Sequence, residues 1–168
     1  SANQQALALK NEPFTLFATL SVTKTTEKWQ YQVCPWPKEQ IQSETFPEEN
    51  YSLAVIDKQG FAIGAFDKDQ AVGLAIFENQ PFHYLYLSDL KIASRYRHQH
   101  LATKLLENTC VLAKDEGYQG LTTTGQSNNV AACLFYLSFG FEIGGLDTKI
   151  YTHTTQAGKE DVLFYYDF

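Results

Sequence analysis

Apolar and polar residues alternate along several short stretches of the chain, and this period predicts a protein rich in β-strands. A first strand is predicted from Pro13 to about Val22, and a return strand from Trp29 to Val33. Further alternating runs, each separated from the next by turn-forming residues, are 51–56, 61–66, 71–77 and 82–92. Short runs with tight turns between them are typical of an antiparallel meander.

The pattern changes from a strand period to a helical period after Ile92. Apolar residues spaced three and four apart predict an amphipathic helix from about Leu101 that ends before Gly117. A second helix is predicted over 130–139. The short strand at 121–124, between the helices, is expected to run parallel to the strand that ends at Ile92. The predicted buried side of the first helix comprises Leu101, Ala102, Leu105, Leu106, Thr109, Leu112 and Ala113. The last predicted strands are 141–143, 149–153 and 162–168.

Length and charge restrict the class of protein. The chain has 168 residues, 44% of them apolar, so it can bury a core and is expected to form one domain over 1–168. Its net charge of −6 argues against nucleic-acid binding, which needs a basic surface. No apolar run reaches membrane-spanning length and no signal peptide heads the chain, so we expect a cytoplasmic protein with no membrane partner. Residues 1–12 are polar and are expected to lie loosely on the surface.

The cysteines and histidines do not have the spacing of a metal site. Cys34, Cys110 and Cys133 are scattered, which favours small buried side chains in a reducing compartment over metal ligands or nucleophiles. His98 and His100 lie close together, but no third ligand accompanies them. We therefore expect no metal.

The segment 38–50 is polar and acidic, and two interpretations stay open. Glu44, Glu48 and Glu49 fit a solvated loop or short helix. They also fit an acidic lip over a substrate cleft.

The stretch from Tyr84 to Leu106 changes abruptly from a strand to a helix. The first amides of such a helix have no intrahelical partner and lie at the positive end of its dipole, so they can bind an anion. The alternative is an ordinary polar turn. The residues that would surround a diphosphate here are Arg97, His98, Gln99, His100, Leu101, Ala102 and Thr103.

A second constellation lies on the later helix. Asn129, Ala132 and Tyr136 recur at steps of three and four residues, so they share one helical face. An amide, a small gap and a phenol on one face suit a ligand lying along the helix. The alternative is a face that packs into the core.

Together these two segments resemble the GCN5-related N-acetyltransferase (GNAT) superfamily. In that family an R/Q-x-x-G-x-G/A loop after the fourth strand holds the pyrophosphate of acetyl-CoA, and an N-x-x-A-x-x-F-Y…G-F segment follows. Arg97 and Ala102 match the ends of the loop pattern. The residues that match the second segment are Asn129, Ala132, Phe135, Tyr136, Gly140 and Phe141.

The resemblance implies a fold and an activity. The fold would be a three-layer α+β arrangement, with a mixed, mostly antiparallel central sheet, helices on both faces, and a parallel pair of strands that splay apart at the acetyl-CoA site. Residues 126–152 and 162–168 look most like the streptothricin acetyltransferases. That likeness implies transfer of acetyl from acetyl-CoA to an amine of a small cationic antibiotic.

The resemblance also implies roles for individual residues. Tyr136 would protonate the leaving thiolate. By its position in this chain, Asp89 is the nearest candidate to take the proton from the amine; the alternative is a structural carboxylate at the end of a strand. Backbone groups of Leu90, Lys91 and Ile92 would bind the pantetheine arm, and an amide near Ile92 would meet the developing oxyanion.

The chain departs from the family pattern at two places. His98 and His100 stand where the family has loop glycines; an imidazole there could crowd the pyrophosphate or, when protonated, attract it. The streptothricin acetyltransferases have a pair of acidic residues on the fourth strand, before the loop, and this chain has Ser88-Asp89 there. Two alternatives therefore stay open: transfer to another amine, such as a polyamine or a protein N-terminus, and a non-catalytic module that binds acyl-CoA. A homodimer formed through aromatic residues of the final strands is a further possibility.

Overall fold

The computed structural model describes residues 2–168 of the chain. The helices are α1 (Ala2–Ala6), α2 (Leu53–Gln59), α3 (Leu101–Asp115) and α4 (Val130–Phe139). The strands are β1 (Phe14–Leu16), β2 (Ala18–Lys24), β3 (Trp29–Pro35), β4 (Gln42–Glu44), β5 (Gly60–Asp67), β6 (Gln70–Asn79), β7 (Tyr84–Ile92), β8 (Gly120–Gln126), β9 (Glu142–Asp147) and β10 (Asp161–Asp167). Short 3-10 turns lie at Lys38–Gln40 and Ser94–Tyr96.

The chain divides into two compact units. The first contains residues 2–12, Thr45–Thr122 and Asp167–Phe168, and the second contains Pro13–Glu44 and Thr123–Tyr166. Strand β8 begins in the first unit and ends in the second. The prediction of one domain over residues 1–168 stays a prediction.

The first unit is built on the predicted meander. Strands β5, β6 and β7 pair antiparallel in that order, and the start of β8 follows β7. Helix α3 packs on β5, β6 and β7. The mixed, mostly antiparallel sheet with one parallel pair is confirmed, since the long connection through α3 suits a parallel β7 and β8. A buried cluster on this sheet comprises Ala6, Ile56, Ala62, Leu74 and Ile76.

Strand β7 contains a β-bulge at Ser88. Its neighbour β6 pairs Ile76 with Asp89 and the next residue, Phe77, with Leu87, so Ser88 has no opposite residue. An extra residue of this kind bends the strand and redirects the side chains beside it. The bulge therefore sets the direction of Asp89, which directly follows it.

The predicted strand at 51–56 is wrong, because this segment contains the start of helix α2. Ser52 precedes the helix, and Ile56, on its inner side, is 7% exposed. Val55 is 52% exposed although it is apolar. The run was too short for periodicity to separate a strand from one helical turn.

The second unit contains three groups of paired strands and helix α4. Strand β1 pairs with β4, β2 pairs with β3, and the end of β8 is followed by β10 and β9. The predicted first strand is interrupted at Phe17, whose carbonyl accepts a hydrogen bond from the Trp36 amide at 2.8 Å. The predicted strand at 149–153 is wrong. Asp147 Oδ1 accepts the amides of Lys149 and Ile150 at 2.8 and 3.0 Å and turns the chain there instead.

Two other local expectations need correction. In α3, Leu105, Leu106, Thr109 and Ala113 are buried as predicted, but Leu112 is 47% exposed. The polar N-terminal segment does not lie loosely on the surface: residues 2–6 form α1, and Ala6 is completely buried. Leu7 and Leu9, directly after the helix, pack against the same cluster as Ala6, and composition alone could not reveal these contacts.

Candidate active site

The loop before α3 has the backbone shape of a glycine loop although it contains histidines. His98 and His100 both have φ of 59°, in the left-handed region that favours glycine. In the family pattern R/Q-x-x-G-x-G/A, with Arg97 as its first residue, the glycine position is that of His100, whereas His98 falls on an unspecified position. Both imidazoles are exposed, so the loop keeps its shape while its side chains project to the surface.

The first turn of α3 presents backbone amides. The hydrogen-bond ladder of the helix begins with the Lys104 amide, which donates to the His100 carbonyl at 3.0 Å. The amides of Leu101, Ala102 and Thr103 therefore precede the ladder. His100 is the N-cap residue and makes no side-chain capping bond. Uncapped amides at the positive end of a 15-residue helix fit a phosphate group.

The polar side chains of Arg97 and Gln99 bind neighbouring protein groups. Arg97 donates through Nε to the Ile92 carbonyl at 3.1 Å, and its Nη2 lies 3.8 Å from Glu12 Oε2. The same Glu12 oxygen accepts the Ser94 amide at 2.6 Å. Gln99 donates through Nε2 to the Arg95 carbonyl at 2.8 Å. Arg97 and Gln99 thus stabilise the shape of the loop, and the main chain supplies donors for an anion.

A charged network surrounds Asp89 after the bulge in β7. The Tyr51 hydroxyl donates to Asp89 Oδ2 at 2.7 Å, and Lys91 Nζ lies 3.4 Å from the same oxygen. Lys91 Nζ also donates to Glu49 Oε2 at 2.7 Å and lies over the Tyr51 ring. The Lys91 side chain is only 8% exposed. Because both partners of Asp89 bind Oδ2, Oδ1 makes no hydrogen bond or ion pair within residues 2–168 and can accept a proton.

The surroundings of the two carboxylates in this network, Asp89 and Glu49, shift their pKa values in opposite directions. Burial raises the pKa of Asp89 above its usual value, although hydrogen bonds from Tyr51 and the charge of Lys91 act against the shift. Burial also acts to raise the pKa of Glu49, but hydrogen bonds from Lys91 and Asn11 outweigh it and lower that pKa. A carboxylate with a raised pKa is a stronger base, so Asp89 fits the role of proton acceptor.

Helix α4 carries the other predicted site residues, in the second unit. Asn129 is the N-cap, and its Oδ1 accepts the Ala132 amide at 3.4 Å. Its role at the helix start is therefore structural at least in part. Tyr136 is 8% exposed, and its ring lies 5.5 to 5.6 Å from the rings of Phe135, Phe141 and Phe164. These rings fix the orientation of the phenol.

A neighbouring amide was missed by the sequence analysis. Asn128 Oδ1 is buried and has no hydrogen-bond partner within the described part of the chain. A buried acceptor of this kind is costly unless a ligand or water donates to it. The sequence signal was present, since Asn128 directly precedes Asn129, but the helical spacing favoured Asn129.

Helix α4 also carries Cys133, one of the three cysteines of the chain. Cys133 on α4 is buried, and burial raises its pKa to about 12, so its thiol stays protonated and unreactive at neutral pH. Among residues 2–168, no three metal-binding side chains cluster together.

The predicted residues thus form two groups. Asp89, Leu90, Lys91, Ile92 and the loop 97–103 lie in the first unit, whereas Asn129, Ala132 and Tyr136 lie in the second. The sequence analysis missed Tyr51, which it placed in a strand, and treated Lys91 only as a source of backbone groups. The sequence analysis had included Glu49 in a possible acidic lip over a substrate cleft. That acidic segment was the one sequence signal that pointed to this network.

The fold and these motifs define an acetyltransferase. The sequence profile of the acetyltransferase (GNAT) family matches residues 24–141, more than half of the chain. The chain belongs to the GNAT family, and it is an enzyme whose acetyl donor is acetyl-CoA. The expected class of enzyme and the expected co-substrate are confirmed.

Two similar proteins of this family are streptothricin acetyltransferases. The chain is 24% identical over 159 residues to streptothricin acetyltransferase A of Bacillus subtilis (strain 168), covering 94% of this chain and 91% of the relative. It is 26% identical over 112 residues to a streptothricin acetyltransferase of Escherichia coli, covering 67% and 64%.

Solved structures share the fold. A Bacillus anthracis protein described as a streptothricin acetyltransferase, in complex with acetyl coenzyme A, superposes with a TM-score of 0.84 at 23% identity, covering 95% of this chain and 90% of that one. Nourseothricin acetyltransferase superposes with a TM-score of 0.79 at 20% identity, covering 98% and 92%. Within residues 2–168, no helix is both long and apolar enough to cross a membrane.

Proposed function

We propose that this enzyme acetylates a primary amine of a small cationic molecule, namely a streptothricin-type antibiotic. The observation that carries the proposal is the half-buried Asp89, which follows the bulge in β7 and has one carboxylate oxygen open for a proton. The relatives that match most of the chain length are named for streptothricin, which supports that acceptor. A cytoplasmic location would give access to acetyl-CoA, and a homodimer stays a prediction.

In the proposed reaction Asp89 Oδ1 takes a proton from the acceptor ammonium, directly or through water. The free amine attacks the thioester carbonyl, so a C–N bond forms and the C–S bond breaks. The leaving thiolate takes a proton from the Tyr136 hydroxyl. The nitrogen loses its second proton as the acetamide forms, and this proton, passed through water, restores the Tyr136 hydroxyl. The products are an acetamide and a free thiol, and the proton on Asp89 leaves to solvent.

Main-chain groups bind the donor in this proposal. The amides of Leu101, Ala102 and Thr103 face the diphosphate, with the loop held by Arg97 and Gln99. Backbone groups of Leu90, Lys91 and Ile92 in β7 bind the pantetheine arm. The left-handed backbone of His98 and His100 supports this role, because the loop keeps a conformation that glycine favours although it contains no glycine.

Two measurements test the proposal. Acetyl-CoA should raise the melting temperature of the protein, since a ligand that binds only the folded state stabilises it. A thiol-release assay with a streptothricin, a polyamine and a peptide with a free N-terminus should give the highest kcat/KM for the streptothricin. If the polyamine or the peptide has the higher kcat/KM, the proposed acceptor is wrong and that amine takes its place. Thermal stabilisation without thiol release from any amine would favour the non-catalytic module.

A further inference from the structure

The first unit contains a cavity of about 210 Å³ beside the bulge in β7. Its walls come from the segment that leads into α2, from α2 itself, and from β6 and β7. Its lining includes Tyr51, Val55, Ile56, Glu78 and Ser88. Tyr51 is therefore shared between the cavity wall and the hydrogen bond to Asp89.

The cavity carries an unbalanced negative charge. Glu78 lines it, and within residues 2–168 its carboxylate makes no ion pair or hydrogen bond. Glu49 and Asp89 share a single ammonium, that of Lys91. Burial raises the pKa of the Tyr51 hydroxyl, and the charges of Asp89, Glu49 and Glu78 raise it further. Three carboxylates and one ammonium leave an excess of negative charge around Tyr51.

We propose that this cavity binds a positively charged aminoalkyl arm of the acceptor, with Glu78 as its counter-ion. The proposal rests on the proposed function and names a feature of the acceptor: a second cationic group besides the amine that is acetylated. Asp89 serves the reacting amine, and Glu78 serves the second one. Glu78 is thus a specificity-determining residue.

The size of the cavity limits what can enter. Sites for drug-sized ligands have volumes of roughly 300 to 1,000 Å³. A cavity of about 150 Å³ holds a benzene molecule. The present cavity, at about 210 Å³, lies between these values and has room for a slender aminoalkyl chain. Val55 and Ile56 offer apolar surface to methylene groups, and the bulkier part of the acceptor stays outside.

Binding of matched amines tests the role of Glu78 without requiring turnover. Calorimetric titration of the intact protein with 1,4-diaminobutane and with 1-aminobutane compares two and one positive charges on the same carbon chain. Wild type should bind the diamine about tenfold more tightly, the range expected for a hydrogen bond to a charged group. Glu78→Gln should remove this preference, whereas Glu39→Gln, at an exposed acidic residue of a 3-10 turn, should retain it. Equal affinities in wild type, or a preference that survives Glu78→Gln, would overturn the proposal.

A second variant tests the cavity itself. Val55 is 52% exposed, so Val55→Trp should fold and obstruct the cavity. It should weaken diamine binding about tenfold or more and leave the thermal shift with acetyl-CoA unchanged. Unweakened diamine binding would show that the diamine lies elsewhere.

The two proposals fail in different ways. If no amine supports thiol release but the diamine preference depends on Glu78, the proposed reaction is wrong and the cavity assignment stands. If streptothricin is acetylated and Glu78→Gln changes neither its KM nor the diamine preference, the reaction stands and the cavity assignment is wrong.

Discussion

Replacement of His100 by glycine tests whether the loop before α3 is a glycine loop in shape. His100 has φ of 59° and ψ of 18°, which glycine adopts without steric cost. We expect His100→Gly to keep or slightly raise the stability of the protein. We also expect it to retain acetyl-CoA binding, because the proposed donors to the diphosphate belong to the main chain.

The magnitude follows from two opposing effects. A left-handed conformation costs an L-residue about 1–2 kcal/mol, with histidine toward the tolerant end. Glycine gives the unfolded chain more freedom, which costs about 0.4–1 kcal/mol. The net effect is a stabilisation of about 0.5 kcal/mol. For a chain of this length it corresponds to a rise in melting temperature of about 1–2 °C.

His153→Gly is the matched control. His153 lies in a turn, and it is not among the residues with positive φ. There the substitution brings only the entropic cost, so the melting temperature should fall by about 1–4 °C. Differential scanning calorimetry of both variants, with and without acetyl-CoA, measures the contrast. Equal destabilisation of the two variants would refute the steric reasoning, and loss of the acetyl-CoA shift in His100→Gly would show that the imidazole binds the phosphate.

Three further outcomes are expected for the chemistry. Tyr136→Phe should lower kcat by about one to three orders of magnitude with the acetyl-CoA affinity little changed; unaltered turnover would exclude the acid role. Asp89→Asn should lower kcat/KM by about two to four orders of magnitude and abolish the acidic limb of its pH profile, and a retained limb would point to another base. Lys91→Met removes a charge and a hydrogen bond that lower the pKa of Asp89, so the ionised carboxylate is less favoured and the acidic limb should move to higher pH. An unmoved limb would show that Lys91 does not act on the proton acceptor.

Much of the local structure was predictable because it depends on neighbours in the chain. Helix α3 was placed correctly from apolar residues three and four apart, and α4 from the same period. The meander of β5, β6 and β7 followed from alternation and turn residues. Periodicity failed where a segment was short, as in α2 and in the five-residue helix α1.

The surroundings of Asp89 could not be predicted in this way. Its partner Tyr51 lies 38 positions away in the chain, and the pair between Lys91 and Glu49 spans 42 positions. No local period encodes such contacts. They depend on how α2 and the segment before it pack against β7, and on the extra residue at Ser88 that redirects the strand.

The amino-acid sequence by itself determined the family, the order of most elements and the two segments that carry its motifs, because each motif is contiguous and its spacing is local. Only the tertiary structure decided that His98 and His100 adopt the conformation that glycine favours, that Asp89 shares Lys91 with Glu49, and that Glu78 lines a cavity with no ion-pair partner among residues 2–168. The physical reason is that burial and charge pairing are properties of the surroundings in space. A carboxylate becomes a base or a counter-ion according to which distant groups the fold brings beside it.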